Sequence, residues 1–237
     1  MKNIYNELMS AKANKRKLLA ILIDPDKVEL KNVKNIIAKI NASPATHILV
    51  GGSSVETSIL DELVFMLRTG TELPVILFPG HSSQVTAEAH AILFLALISG
   101  RNPDYLIEHQ IKSVPILKKA NLEIIPTGYI LIESGTVTAV ERVSKTAPLD
   151  RGNADFILQT AEAGVMLGHK LIYLEAGSGA LKPVPLEVIS LVSRHVQVPL
   201  IVGGGIKNVH EIHAMYDAGA DLVVIGNAFE TNLDFFS

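Results

Sequence analysis

Apolar residues come in short bursts along this chain, and polar, helically spaced stretches separate them. Eight bursts stand out: 18–23 (LLAILI), 47–50 (HILV), 75–78 (VILF), 91–98 (AILFLALI), 123–132 (EIIPTGYILI), 171–175 (LIYLE), 200–202 (LIV) and 222–225 (LVVI). Runs this short, rich in β-branched and aliphatic residues, predict buried parallel strands. Between them, Leu30, Val33, Ile36, Ile37 and Ile40 repeat at helical spacing, as do Ile59, Leu60, Leu63, Phe65 and Leu67 over residues 56–68. Residues 154–167, 185–195 and 208–218 give three more helices. Asn208 is placed to cap the last of these, with Glu211 three residues on.

Strand, loop and helix repeated about eight times is the pattern of a (β/α)8, or TIM, barrel. The 237 residues suit one such domain, 1–237, with no linker or low-complexity break inside it. An open doubly wound sheet is the competing architecture. It wants a G-x-G-x-x-G turn after the first strand, where this chain has IDPDK. One repeat is irregular. Only about a dozen residues separate VILF from AILFLALI, so the third helix is expected to be short or missing.

Composition narrows the setting. Apolar residues make up 48% and mean hydropathy is +0.33, yet aromatics are only 5%, so the core must be aliphatic. A net charge of −3 gives no electrostatic footprint for nucleic acid. With no cysteine, thiolate and disulfide chemistry are excluded. No apolar run approaches the roughly 20 residues that span a bilayer, and no secretory leader is visible, so a cytoplasmic location is expected.

Barrels of this kind carry their chemistry where strands end. The seventh run ends in GGGIKN and the eighth in GNAFE. Bare glycine backbone followed by a helix start is suited to cradle a phosphate, so loops six to eight are expected to form a phosphate site. The alternative for each break is a tight turn. The sixth run ends in YLEAGSGA, which sets an acid, Glu175, at the mouth; it could accept a hydroxyl proton or merely cap a turn. Asp24 after the first run and Ser53 after the second are hard oxygen ligands of the type Mg²⁺ accepts. An Asp-Pro turn and a helix cap account for the same two residues equally well.

The ordered set LIDPDK, VGGSS, PTGYILIESG, YLEAGSGA, VGGGIKN and VIGNAFE resembles the geranylgeranylglyceryl phosphate synthase family, which includes bacterial heptaprenylglyceryl phosphate synthases. The resemblance runs from about residue 18 to 230, and ISGRNPDYLI (98–107) is closer to the geranylgeranyl branch. It implies a Mg²⁺-dependent prenyltransferase that joins sn-glycerol 1-phosphate to a long prenyl diphosphate, in a dimer or hexamer. By motif, Asp24 and Ser53 would hold the metal and Glu175 would be the base. Tyr173, Leu174, Glu175, Ala176, Gly177, Ser178, Gly179, Gly204, Gly205, Gly226 and Asn227 would hold the glycerol phosphate, with Tyr129 lining the same pocket. Some members have Lys two residues before the metal-binding Asp. Leu22 stands there in this chain, and Lys17, Lys27 or Lys207 would have to supply the cation. Phe94, Leu97 and Tyr105 are the candidates for limiting tail length. A phosphosugar isomerase or aldolase on the same barrel, or a barrel that only binds a phosphorylated ligand, are the other readings.

Overall fold

The computed structural model describes residues 3–52 and 59–236. All eight apolar runs become strands: β1 (Leu18–Ile23), β2 (His47–Val50), β3 (Val75–Leu77), β4 (Ala91–Leu97), β5 (Glu123–Leu131), β6 (Leu171–Glu175), β7 (Leu200–Gly203) and β8 (Leu222–Ile225). They are parallel and pair in sequence order, and β8 closes on β1 through Leu18↔Leu222 to Ile21↔Ile225.

Alternation along each strand sorts its side chains into two cores. Leu18, Ala20, Leu49, Ile76, Leu93, Tyr129, Leu171, Tyr173, Ile201, Leu222 and Val224 fill the barrel interior. Leu19, Ile21, Ile48, Val50, Leu77, Ile130, Ile172, Leu174, Val202 and Val223 face outward, against the helices.

The helices are α1 (Ile4–Ala13), α2 (Val33–Asn41), α3 (Leu60–Gly70), α4 (His109–Leu117), α5 (Ala139–Ser144), α6 (Ala154–Met166), α7 (Leu186–His195), α8 (Val209–Ala218) and α9 (Asn227–Thr231). Asn208 caps α8 as expected, accepting the Glu211 N–H at 2.9 Å; Glu211 reaches back to the Lys207 N–H, one residue beyond the usual box. α1 was not foreseen. It buries Ile4, Leu8 and Ala11 against the barrel interior, at the end where the strands begin.

The irregular repeat is confirmed. Residues 78–90 run from β3 to β4 in turns, without a helix. β3 pairs with β4 only at Ile76↔Ala91 and Leu77↔Ile92, whereas β4 pairs with β5 along its whole length. The stretch Leu93–Leu97 therefore rises past the end of β3, and the barrel wall is split at its mouth. A π-helical turn, Asp104–Glu108, leads into α4 beside this split. Among the described residues, no helix is long and apolar enough to cross a membrane.

Candidate active site

A cavity of about 800 Å³ opens at the C-terminal ends of the strands. Its lining changes character from one side to the other. Asp24, Lys27, Glu175, Ser178, Asn227 and Glu230 lie on one side; Val85, Ile92, Phe94, Leu95, Leu97 and Tyr105 lie on the other, next to the β3/β4 split.

Glu175 ends β6 and is 5% exposed. Burial pushes its carboxyl up to about 7, against the pull of the Gly177 N–H and the Tyr173 hydroxyl, which both favour the charged form. The Gly177 N–H donates to Oε1 at 2.6 Å. The Tyr173 hydroxyl is fully buried and completes no hydrogen bond of good geometry among the described residues; the acceptor it faces is the Glu175 carboxylate. Gly203 leaves room for both groups, since a Cβ there would lie 2.5 Å from Tyr173 Oη and 3.0 Å from Glu175 Oε2. Burial also drives the Tyr129 and Tyr173 hydroxyls well above the usual tyrosine range, so both stay protonated. A group held near neutrality beside two protonated phenols is equipped to take up a proton.

The glycine loops close around this acid. Gly177, Gly179, Gly204 and Gly205 all adopt positive φ. Gly204 is the tightest, because a Cβ would fall 2.2 Å from Glu175 Oε1 and 2.6 Å from the Gly177 nitrogen. Gly226 precedes α9, whose first N–H groups, at Asn227 and Ala228, have no partner within the helix. Asn227 Oδ1 accepts from the Ser178 hydroxyl at 3.2 Å and ties the loop after β6 to the one after β8.

Most of the residues singled out by sequence meet here. Asp24, Tyr129, Tyr173, Glu175, Gly177, Ser178, Gly179, Gly204, Gly205, Gly226 and Asn227 line one cavity. Leu174 and Ala176 do not. Strand alternation turns them into the layer between barrel and helices, where both are fully buried. Ser53 lies outside the described residues. Of the candidate cations, Lys17 is at the wrong end of β1, donating to the Ala220 carbonyl, while Lys27 and Lys207 reach the cavity.

Several lining residues escaped the sequence reading. Phe78 stacks on Tyr173 at 5.3 Å between ring centres and meets Tyr129 edge-on at 5.8 Å. In a chain with so few aromatics, a Phe closing a strand was the available signal. Gln110 is buried beside the split, where its amide nitrogen caps the Leu95 carbonyl that β3 leaves unpaired. His81 and His109 pack edge to face at 4.8 Å on the apolar side. Glu230 stands inside a motif already quoted, but nothing in the spacing assigns it a partner.

Residues 11–236 match the sequence model of the PcrB family. A geranylgeranylglyceryl phosphate synthase from Flavobacterium johnsoniae is 62% identical over 98% of this chain and 96% of its own. One from Thermococcus gammatolerans is 40% identical over 92% of this chain and 86% of its own. The crystal structure of (S)-3-O-geranylgeranylglyceryl phosphate synthase from Thermoplasma acidophilum, in complex with its substrate sn-glycerol-1-phosphate, superposes with a TM-score of 0.93 at 31% identity, covering 100% of this chain and 95% of that one. On sequence and fold alike, the chain belongs to the PcrB family.

Proposed function

We propose that this protein is a geranylgeranylglyceryl phosphate synthase: it forms the ether bond between the C3 hydroxyl of sn-glycerol 1-phosphate and the allylic carbon of a long prenyl diphosphate. The observation that carries this is the shape of the cavity that holds Glu175. On one side are glycine loops fit for a phosphate, on the other an apolar chamber at the β3/β4 split, and the buried acid stands between. A phosphosugar enzyme would have no use for the apolar side, and a barrel that only binds would have no use for the acid.

The chain's residues divide the work as follows. The loops after β6, β7 and β8 hold the glycerol phosphate by its anion, which fixes the hydroxyl near Glu175 and lowers the orientational cost of attack. The hydroxyl oxygen bonds to the allylic carbon as the bond from that carbon to the diphosphate oxygen breaks. The hydroxyl proton passes to Glu175, and the diphosphate leaves with the electron pair. Positive charge grows on the prenyl carbon meanwhile, and the Phe78, Tyr129 and Tyr173 rings, packed together in the wall of the cavity beside Glu175, are the aromatic groups available to stabilise it. The chamber bounded by Phe94, Leu95 and Leu97 takes the tail.

The residues present fit a magnesium ion. A Cβ at Gly52 would stand 2.4 Å from Asp24 Oδ1, so the glycine keeps open the space beside this carboxylate. No group of three or more His, Asp or Glu is arranged for a metal among the described residues. That suits an ion which takes one or two carboxylates and completes its shell with substrate phosphate oxygens and water. Asp24 would hold it, with Ser53 as the second ligand suggested by motif; once bound, Mg²⁺ would neutralise charge on the diphosphate. Exposed Ile107, Ile111 and Val114, on and before α4, would be covered by a second copy of the chain in a homo-oligomer.

The test is a product assay with Mg²⁺, labelled glycerol 1-phosphate and prenyl diphosphates of several lengths. Label moving into an organic extract is expected, and glycerol 3-phosphate should replace the substrate poorly. Folded protein that transfers no tail of any length would overturn the reading.

A further inference from the structure

One ammonium ties the loop after β1 to the loop after β8. Lys27 Nζ donates to Asn227 Oδ1 at 2.8 Å and to Glu230 Oε2 at 2.9 Å, and Asp24 Oδ2 lies 3.6 Å away. Glu230 Oε1 accepts the Asp24 N–H at 3.1 Å, so Glu230 is bound to both neighbours. Asn227 also takes the Ser178 hydroxyl. The carboxylates are the better shielded partners: side-chain exposure is 44% for Lys27, 19% for Asp24 and 13% for Glu230. Lys27 therefore neutralises two carboxylates from the cavity side, and it stands 3.6 Å from Asp24 Oδ2, one of the two oxygens Asp24 can offer a cation.

A metal ion and an ammonium cannot both sit against Asp24 Oδ2 without repulsion. The flexible Lys27 side chain faces the volume an anionic substrate group would enter. We propose that Lys27 is a displaceable counter-ion: it holds Asp24 and Glu230 until ligands arrive, then turns from the carboxylates to the diphosphate as a divalent cation takes Asp24. Metal and diphosphate binding are thereby coupled. The cation alone must compete with Lys27, while cation and diphosphate together give Lys27 a new partner. This deepens the prenyltransferase reading and rests on it for the identity of the anion.

The coupling predicts that the effect of Lys27→Gln changes sign between the cation alone and the cation with diphosphate, which an ion pair that stays closed on its carboxylates would not give. Mg²⁺ alone is titrated calorimetrically into folded wild type, Lys27→Gln, Glu230→Gln and Lys27→Arg. Lys27→Gln should bind Mg²⁺ roughly tenfold more tightly, because a unit charge a few ångströms away is removed. Glu230→Gln should bind it more weakly, since Lys27 then leans on Asp24 alone. Lys27→Arg keeps the charge and should track wild type. With inorganic diphosphate added to saturating Mg²⁺, the order reverses, and Lys27→Gln should bind the anion roughly tenfold more weakly. Unchanged, weaker or undetectable Mg²⁺ binding in Lys27→Gln overturns the proposal, as does a shift of the same sign in both variants. Failure of the wild type in the product assay with these signs intact would instead remove the prenyl reading and leave the coupling standing.

Discussion

Glu175 and Gly204 are placed so that only a glycine can stand opposite the acid: a Cβ on residue 204 would lie 2.2 Å from Glu175 Oε1, the oxygen that accepts the Gly177 N–H. The same contact joins the glycine loops to the proposed base, so geometry on one side is felt on the other.

Replacing Glu175 by Gln keeps the shape and the Gly177 hydrogen bond but removes the base. Turnover should fall by about 10²- to 10⁴-fold, the usual range for a general base. Glycerol 1-phosphate binding, followed by calorimetry, should survive. In the wild type, only the ionised carboxylate can take the proton. With its carboxyl pushed up to about 7, the rate should climb with pH through that value, and this limb should vanish in Glu175→Gln. A wild-type profile flat from pH 5 to 8 would sink the assignment.

The same shift makes a stability claim. The folded carboxyl titrates at about 7 against an ordinary 4.5, so the native state binds its proton more tightly than the unfolded chain does. That contribution is fully present below pH 4.5 and is lost as pH rises through 7. Glu175→Gln has no such loss. Its stability relative to wild type should therefore grow between pH 5 and pH 8, by on the order of 3 kcal/mol from a shift of this size. Denaturant melts at the two pH values measure it, and a gap independent of pH contradicts the buried-acid account.

Two glycines with nearly the same φ separate crowding from strain. Gly204 and Gly179 have φ of +84° and +78°. A Cβ at 179 meets nothing within 4 Å, whereas one at 204 meets Glu175 and the Gly177 nitrogen. Gly179→Ala should cost only the left-handed backbone penalty, about 1–2 kcal/mol. Gly204→Ala should cost more and, by displacing Glu175, lower kcat as well as glycerol phosphate affinity. Equal effects on kcat from the two variants would show that the approach to Glu175 is not what matters.

How much of this was legible in the sequence follows from which forces are local. The strands were, because each is a short aliphatic run buried on both faces. The missing helix was, because a dozen residues cannot cross back over a sheet. α1 was passed over because its buried residues, Ile4, Leu8 and Ala11, are few and lie in a stretch that reads as polar, and only the barrel floor makes them a face. Leu174 and Ala176 were included by motif, which runs continuously, whereas strand alternation sends neighbours to opposite sides. The Lys27–Glu230 pair was invisible because 203 residues separate its members and only barrel closure brings them together.

Asp24 gives the metal prediction. Asp24→Asn keeps an acceptor for the Asp26 N–H but loses the charge that faces Lys27. Turnover should drop at least 10²-fold and should not recover at high Mg²⁺. Chelation of the wild type should abolish transfer reversibly. Full activity in excess chelator would rule out a divalent ion at this carboxylate.

Tail length should respond to the chamber wall. Phe94 is half-buried and Leu97 is 3% exposed, and both line the chamber beside the split. Phe94→Ala opens the wall without touching the residues around Glu175. The preferred prenyl diphosphate should move to longer tails, with kcat for the best substrate within a few-fold of wild type. Product profiles across tail lengths test this, and an unchanged preference would place the limit elsewhere, at Leu97 or Tyr105.

The last prediction concerns α1 and separates stability from chemistry. Glu123, at the start of β5, accepts the Ile4 N–H at 2.6 Å and the Tyr5 N–H at 2.9 Å, a carboxylate on the positive end of a helix. Lys12, in the last turn of α1, pairs with Asp221 just before β8 at 3.0 Å. These two ties hold Ile4, Leu8 and Ala11 against the barrel floor, at the end opposite Glu175. Glu123→Gln leaves one acceptor and no charge, so it should cost about 1–2 kcal/mol. kcat and both KM values should stay at wild-type levels well below the melting temperature. A loss of activity in the folded variant would mean that the floor of the barrel sets the geometry of its mouth, because Glu123 has no other route to the reacting groups.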